Sequence, residues 1–426
     1  MTYEFEYLIS TLSYAAVGRP VSKPSEAIDW RKVYSLAVNH SVIPMFAYAF
    51  GFSDIDFISE DAAASMKKQA QDIMLSAYIK KINILNMLDK LNKNAAKAIV
   101  LKGFALSSCY FVPDARISGD TDIYVGTEAE QKTLDFFTEQ GFTVEKRNKY
   151  QKESKCYNAE CGLIEVHAAM YDDLTKNIWF EHLTEKELIK EPYIRVETEG
   201  KYFYTLGYTD NMIYIALHLI RHFISSGMSL RQMLDVTLFY AKNKEKIDLA
   251  RFWDTMTKLR YKTLINTVFS ASIRYFRLPE EWMELLTEKV SADAEMMLLD
   301  DLEEGGYLGN DDAANRIDGK SMYSKAKGDE KKSYFGHKLF LLRRFFVFAL
   351  PALFPTAKEL KLKYSYARNH PFLLPAAWIH RLIFGGFSAI RNRKIKTEIV
   401  MNEKSMSEAG IKRMEMFKKL NMVDKD

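Results

Sequence analysis

Two aspartates that share one face of a predicted strand are the strongest chemical signal in this 426-residue sequence. Asp120 and Asp122 begin the run 120–125, whose alternation and β-branched residues predict a strand starting near Asp120. Because successive side chains of a strand point to opposite faces, both carboxylates project from the same side. Two negative charges at that range repel each other, and a divalent cation such as Mg²⁺ or Mn²⁺ would neutralise them.

A third acid follows in a second predicted strand, residues 163–167, where Glu165 stands between Ile164 and Val166. If the two strands pair in the right register, Glu165 completes a three-carboxylate cluster with Asp120 and Asp122. Such a cluster can hold two metal ions about 3.5–4 Å apart, which stabilise the entering and leaving oxygens of phosphoryl transfer. We therefore predict these three acids as catalytic residues and metal ligands. The simpler alternatives are a solvated acidic pair at a turn and an edge-strand charge at Glu165.

Five further residues are predicted to bind the nucleotide. Gly103 lies at a strand-to-helix turn, where the backbone can approach a triphosphate and the following helix N-terminus offers free N–H groups. Lys102 and Arg116 can balance phosphate charge, and Gly119 directly precedes the acidic pair. His167 faces the same side as the third acid, so it contacts either the nucleotide or the acceptor, or else is a hydrogen-bonded structural histidine.

The predicted helices and strands around these residues indicate an α+β fold, with a small mixed β-sheet core embedded in a mostly helical chain. Helical spacing of apolar residues covers 30–48 and 62–91 and returns after Asp210, while short strands and helices alternate within about 95–170. The predicted organisation has five parts: an N-terminal helical region (1–95), an α/β core (96–205), a helical domain (206–302), a linker or long loop (303–332) and a basic aromatic C-terminal region (333–426).

These motifs resemble a known family. Residues 100–106 (VLKGFAL), Tyr110, Arg116 and residues 119–125 (GDTDIYV) are similar to the uncharacterised nucleotidyltransferase family of the DNA polymerase β-like superfamily. Residues 164–167 look like its third-carboxylate strand, and residues 218–235 look like its helical segment. The resemblance implies a nucleotidyltransferase core, Asp120 and Asp122 as metal ligands, Glu165 as the third carboxylate and Gly103 beside the phosphates. Phe104 departs from the superfamily pattern, which usually has a second Gly or Ser there.

Two polar pairs at helical spacing lie farther along the chain. His218 and His222 share one helical face, but no third soft ligand stands nearby, so we expect a structural or substrate-lining role rather than a zinc site. Arg231 and Asp235 have the same spacing, which indicates either an ion pair within one helix or a contact to a phosphate or base.

Composition excludes several classes of protein. The three cysteines, Cys109, Cys156 and Cys161, form no CxxC motif, which argues against a disulfide scaffold or a zinc ribbon and favours a reducing cytoplasm. The N-terminus lacks the basic start of a secretory signal. The longest uncharged apolar run, 345–355, contains two prolines and is shorter than the roughly 20 residues of a membrane-spanning helix.

Charge is strongly segregated. Residues 331–396 carry eight lysines and six arginines against one acid, Glu359, so this segment has a net charge of +13 and the remaining chain −9 within the total of +4. Such a segment suits an anionic partner. For its aromatic part, 338–354, three interpretations stay open: a domain core with a charged rim, a site for nucleic acid or another anionic acceptor, and a membrane-surface segment.

The leading functional hypothesis is transfer of a nucleoside monophosphate from a nucleoside triphosphate such as ATP to an acceptor hydroxyl, with release of pyrophosphate. The acceptor is RNA, a protein, a sugar or another small molecule. The alternative from a different class is a catalytically inert protein of the same fold that binds a nucleotide or polyanion, which Phe104 motivates. A third hypothesis is a peripheral membrane protein that acts on polysaccharide or lipid-linked substrates.

Overall fold

The computed structural model describes residues 1–147, 153–170, 185–225 and 227–305, with 374, 413 and 415–422. The chain divides into two compact units, one of residues 1–320 and 415–426 and the other of residues 321–414. All helices and strands given below belong to the first unit. Positions 306–332 of the predicted linker, and the basic segment 331–396 apart from position 374, lie outside the described residues.

The N-terminal region is helical, as predicted. It contains α1 (Tyr3–Thr11), α2 (Ser13–Val17), α3 (Trp30–Asn39), α4 (Ile43–Phe52) and α5 (Glu60–Asn94). The apolar spacing over 30–48 predicted continuous helix, but α3 ends before a turn in which Ser41 adopts a φ of 55°. Pro44 then lies in the first turn of α4, where its missing N–H costs no helical hydrogen bond.

The 35-residue helix α5 joins the N-terminal helices to the sheet. Ser59 caps it by accepting a hydrogen bond from the backbone N–H of Ala62. Its first half packs mainly on α4, whereas its second half buries an apolar stripe against the sheet. That stripe consists of Ile84, Leu85, Leu88 and Leu91.

Seven strands form one mixed sheet among the described residues, in the order β3-β4-β5-β2-β1-β7-β6. Their bounds are β1 (Ile99–Val100), β2 (Asp120–Tyr124), β3 (Thr143–Glu145), β4 (Glu153–Asn158), β5 (Gly162–His167), β6 (Ile194–Thr198) and β7 (Lys201–Thr205). The helix α6 (Thr127–Glu139) follows β2. This mixed sheet within a mostly helical chain confirms the predicted α+β class. Strands β4, β6 and β7 were not predicted.

The two faces of the central strands differ in chemistry. Val100, Ile123 and Ile164 are buried in one apolar cluster with α5 and α6. Each large apolar side chain that is fully buried stabilises the fold by about 1.5–3 kcal/mol. A one-residue slip of either strand would turn these side chains out of the cluster, so the core determines the strand register.

The remaining helices are α7 (Glu185–Leu188), α8 (Tyr208–Ser225), α9 (Leu230–Asn243), α10 (Leu249–Lys258), α11 (Lys262–Tyr275) and α12 (Ala292–Gly305). The predicted helices after Asp210 are confirmed, with α9 starting at a capping box of Ser229 and Gln232. Residues 230–240 of α9 are all buried, so polar residues in this stretch face protein rather than solvent. In the described part of the chain, no helix is both long and apolar enough to cross a membrane.

Candidate functional site

The parallel pairing of β2 and β5 brings the predicted acids together. Asp122 lies opposite Glu165, and Tyr124 lies opposite His167, in the register of the two strands. Asp120 and Asp122 therefore share the face of the sheet that carries Glu165 and His167, while Ile123 and Ile164 point to the apolar cluster behind it. The core packing on one face thus places the acids on the other.

The most compact part of this group is Asp122, Glu165 and His167, whose possible ligand atoms all lie within 4.8 Å of one another. Asp122 is 1% exposed and His167 0%, and His167 Nε2 lies 3.0 Å from Asp122 Oδ1. His167 thereby orients the buried carboxylate. Asp120 lies at the open edge of the group, where its Oδ1 accepts a hydrogen bond of 3.1 Å from Ser118 Oγ.

Lys102 is the cation that faces the two aspartates. Its Nζ lies 3.1 Å from Asp122 Oδ2 and 3.5 Å from Asp120 Oδ2. Lys102 follows β1, and the Leu101 N–H donates to the Asp122 carbonyl at 3.0 Å, so the antiparallel pairing of β1 and β2 sets its position. Burial alone would lower the pKa of Lys102, but the two carboxylates outweigh it and raise the pKa above its usual value.

The pKa of Glu165 departs far from its ordinary value. Burial, followed by repulsion from Asp122, Asp120 and Glu153, raises the pKa of Glu165 to about 7. Glu153 lies on β4 opposite His167, on the same face as the other acids. Its part in the site was missed because β4, with the mostly polar sequence ESKCYN, was not predicted as a strand.

The donor set fits a divalent cation. Carboxylate oxygens of Asp122 and Glu165 and an imidazole nitrogen of His167 are near enough to share one ion, and this mixture suits metals from Mg²⁺ to Mn²⁺. Lys102 is the ammonium in contact with Asp120 and Asp122, and Glu165 is repelled by both aspartates and by Glu153. The unbalanced negative charge favours binding of a further cation.

The two predicted glycines have different structural roles. Gly103 adopts a φ of +76°, a left-handed conformation that favours glycine, and it starts a seven-residue 3₁₀ helix, Gly103–Cys109, in place of the predicted α-helix. Gly119 is exposed and has open space around its Cα, so no side-chain clash demands glycine there. Phe104 packs edge-to-face on Phe203, with ring centroids 5.1 Å apart.

Arg116, predicted to bind phosphate, forms a buried ion pair with Asp235. Its Nε and Nη2 donate to the two carboxylate oxygens at 3.0 and 2.7 Å, and Tyr110 donates to the same carboxylate at 2.8 Å. Although burial would lower it, the pKa of Arg116 is raised by Asp235. Arg231, the neighbour of Asp235 on α9, donates from Nη1 to the carbonyl of Ile117. These residues tie α9 to the loop that leads into β2.

Two cavities adjoin the acidic group. The larger, here called the α5 cleft, has a volume of about 420 Å³ and lies between α5 and the segment 113–121. The smaller, here called the α9 cavity, measures about 30 Å³ and is lined by Lys102, His218 and Arg231. Arg116, Ser118 and Asp120 line both. His218 also packs against His222, with ring centroids 4.5 Å apart.

The comparisons with known proteins identify the family. The family model described as uncharacterised nucleotidyltransferase matches residues 26–274, more than half of the chain. The chain therefore belongs to the uncharacterised nucleotidyltransferase family, which confirms the resemblance seen in its motifs. No curated protein and no solved structure matches the chain. Family membership supports a general role in nucleotidyl transfer.

Proposed function

We propose that this protein is a metal-dependent nucleotidyltransferase that moves a nucleoside monophosphate from a nucleoside triphosphate such as ATP to an acceptor hydroxyl. The family supports nucleotidyl transfer in general terms. The observation that carries the proposal is the convergence of Asp122, Glu165 and His167 within 4.8 Å, with Asp120 beside them on the same face. Such a buried excess of acids is costly to a fold and marks a functional site.

Asp120, Asp122 and Glu165 would hold Mg²⁺ or Mn²⁺, with His167 as a further candidate ligand or as the group that orients Asp122. When bound, the metal would neutralise phosphate charge and stabilise the pentacoordinate transition state. Lys102 adds positive charge beside the same acids, and Gly103 and Gly119 flank the approach to them. Arg116 adds positive charge near Asp120, although Asp235 binds its Nε and Nη2.

The reaction requires one proton acceptor. The acceptor hydroxyl oxygen bonds to the α-phosphorus, the bond from that phosphorus to the bridging oxygen breaks, and pyrophosphate leaves with the electron pair. Glu165 would accept the hydroxyl proton, because it faces Asp122 on the side of the sheet where the acids lie. Asp122 is held in place beside it by His167.

The test is substitution of the acids without change of shape. We expect Asp122→Asn and Glu165→Gln to lower pyrophosphate release and label transfer from each α-labelled triphosphate by about 10³-fold or more, given that positioned charged groups commonly contribute on that scale. Asp254→Asn, which alters an exposed pair with Lys258, is the matched control. Unchanged turnover in the double variant Asp120→Asn/Asp122→Asn, with a native circular dichroism spectrum, would rule the mechanism out.

One observation favours the second candidate function, an inert nucleotide- or polyanion-binding protein. Lys102 already neutralises part of the charge on Asp120 and Asp122. A protein that binds no metal would need such a cation beside its buried acids. Phe104, which motivated this alternative, packs on Phe203. Triphosphate binding with no pyrophosphate release in the presence of Mg²⁺, Mn²⁺ and a cell extract would favour it.

Other parts of the hypothesis stay predictions. They are the cytoplasmic location, the division of the chain into 1–95, 96–205, 206–302, 303–332 and 333–426, and the nature of the acceptor as RNA, protein, sugar or another small molecule. The proposed anionic partner or membrane surface for residues 331–396 belongs with them.

A further inference from the structure

The α5 cleft has the size and lining of a small-molecule site. Its volume of about 420 Å³ falls within the about 300–1,000 Å³ typical of ligand pockets. Ile73, Ala77 and Phe104 supply apolar surface, and hydroxyl groups come from Ser76, Ser107 and Ser118. At one end the cleft reaches Asp120, so a molecule bound there would lie beside the acidic group.

The charges of the cleft disfavour a polyanion. Lys80 donates from Nζ to the carbonyl of Gly119 at 2.9 Å, and Lys81 pairs with Asp114 and with Glu199, each at 3.2 Å. Both lysines are thus engaged by oxygen acceptors of the protein. Asp72 also lines the cleft and adds negative charge. With Arg116, the two lysines match the three carboxylates of the lining (Asp72, Asp114 and Asp120), so a ligand with three phosphates would meet no excess of positive charge.

The α9 cavity has the opposite character. Lys102, Arg116, Arg231 and His218 line it, against the carboxylates of Asp120 and Asp235. The cationic side chains favour phosphate oxygens, although the cavity is only about as large as one water molecule. The acidic cluster therefore lies between a small cavity in which cations outnumber carboxylates and a larger cleft in which the two balance.

Arg116 provides an independent pointer to a ligand. It is 5% exposed, and its Nη1 has no hydrogen-bond partner among the described residues, although Nε and Nη2 are bound to Asp235. A buried N–H donor left unpaired costs about 1–3 kcal/mol, so such a group usually has a partner in the functional state. Arg116 lines the α5 cleft, where a ligand hydroxyl can accept this hydrogen bond.

We propose that the α5 cleft is the acceptor site and that the acceptor is a small polyhydroxylated molecule, uncharged or cationic, such as a sugar or amino sugar. The inference rests on the proposed nucleotidyltransferase function. Ser76, Ser107, Ser118 and Arg116 Nη1 bind its hydroxyl groups, and the hydroxyl nearest Asp120 attacks the α-phosphorus. Lys80 is a positioning residue, because it holds the carbonyls before Asp120.

The experiment fills the α5 cleft with bulky side chains and measures both transfer of label to the acceptor and binding of the triphosphate. Ala77→Trp and Ser76→Phe add bulk to the cleft wall, and Ala64→Trp adds the same bulk at an exposed position of α5 outside it. Each full-length variant is incubated with α-labelled triphosphates, Mn²⁺ and a cell extract separated at 3 kDa. Label is then followed in the small and large fractions, and triphosphate affinity is measured in parallel by titration.

We expect label in the small-molecule fraction with wild type and Ala64→Trp, and at least a tenfold loss with both cleft variants. Triphosphate affinity should change less than twofold in all of them. Label confined to macromolecules would overturn the proposal, and so would a tenfold weaker triphosphate affinity in the cleft variants, because the cleft would then hold the donor. A wild type that binds no triphosphate, or that binds it and labels nothing, would instead remove the proposed function, and this inference with it.

Discussion

Two buried ionic clusters lie at the two ends of the segment 116–122, one containing Arg116 and the other Asp122, and they differ in charge balance. In the first, the Arg116 guanidinium meets the Asp235 carboxylate in a bidentate pair to which Tyr110 adds a hydrogen bond. In the second, the Lys102 ammonium contacts Asp120 and Asp122, while Glu165 is repelled by the neighbouring acids. Balanced pairs fix a structure, whereas a buried excess of one charge is a cost that a ligand of opposite charge can offset. The contrast separates a pair that holds the segment before β2 to α9 from a group whose charge favours a bound cation.

The largest expected effect comes from breaking the balanced cluster. Asp235→Ala leaves the Arg116 charge buried without its partner, and we expect a loss of about 3–5 kcal/mol in the free energy of unfolding. Urea denaturation followed by tryptophan fluorescence measures it.

A double variant with both partners replaced, Arg116→Met/Asp235→Leu, should recover part of this loss, since no charge is then left buried. Equal destabilisation of the single and double variants would show that packing, rather than charge pairing, dominates at this position.

The second effect concerns the unbalanced cluster. Lys102→Met removes the cation that faces Asp120 and Asp122, so we expect the metal-free protein to melt at a lower temperature and Mn²⁺ to bind several-fold more tightly. Differential scanning calorimetry and electron paramagnetic resonance of Mn²⁺ measure the two changes. A weaker Mn²⁺ affinity in this variant would mean that Lys102 supports the cation site rather than competing for it.

The third effect is a pH dependence of the metal-free protein. The pKa of Glu165 is raised to about 7 in the fold from an ordinary value of 4.5, so protonated Glu165 is favoured by folding. Its contribution is full below pH 4.5 and is lost as the pH rises through about 7. Because the side chain is partly exposed, we expect about 2 kcal/mol at most.

Glu165→Gln should flatten the stability profile between pH 4.5 and about 7, with thermal melting as the measurement. A profile that is identical in wild type and Glu165→Gln would contradict the buried, repelled state of this acid.

The smallest expected effect is at an exposed ion pair, whose contribution to the unfolding free energy is the reference for the two buried clusters. Lys93 and Asp89 form an exposed pair at i, i+4 on α5, with a 2.8 Å contact, and exposed pairs of this kind contribute about 0.3–0.5 kcal/mol. Lys93→Ala should therefore change the unfolding free energy by about 0.5 kcal/mol or less, in the same urea assay. A loss as large as that of Asp235→Ala would remove the distinction between buried and surface charge.

Much of this structure could be predicted from short-range patterns in the sequence. The 3.6-residue spacing predicted α5 and the helices after Asp210, and the alternation at 120–125 and 163–167 predicted β2 and β5 and the shared face of their acids. Both signals are short-range, because they follow from the geometry of a single helix or strand. The strand ESKCYN has no such alternation of apolar residues, so β4, and Glu153 with it, was missed.

The partners of the charged residues could not be predicted in the same way. Arg116 meets Asp235 across 119 positions of sequence, and Lys102 meets the acidic pair only because β1 runs antiparallel to β2. Such contacts depend on how elements pack, which residue spacing does not report. His167 illustrates an intermediate case: its face was predicted, but its hydrogen bond to Asp122 depends on the strand register.

Because of that register, the site depends on whether the length of β5 changes by an odd or an even number of residues. One residue inserted or deleted inside β5 would turn Ile164 or Val166 towards the cation and Glu165 towards the apolar core. A change of two residues would keep the orientation of Glu165. The turns between elements carry no such constraint, because their length does not set which way a β5 side chain points. Insertions and deletions can therefore accumulate in those turns, whereas β2 and β5 keep the site only if their length changes by an even number of residues.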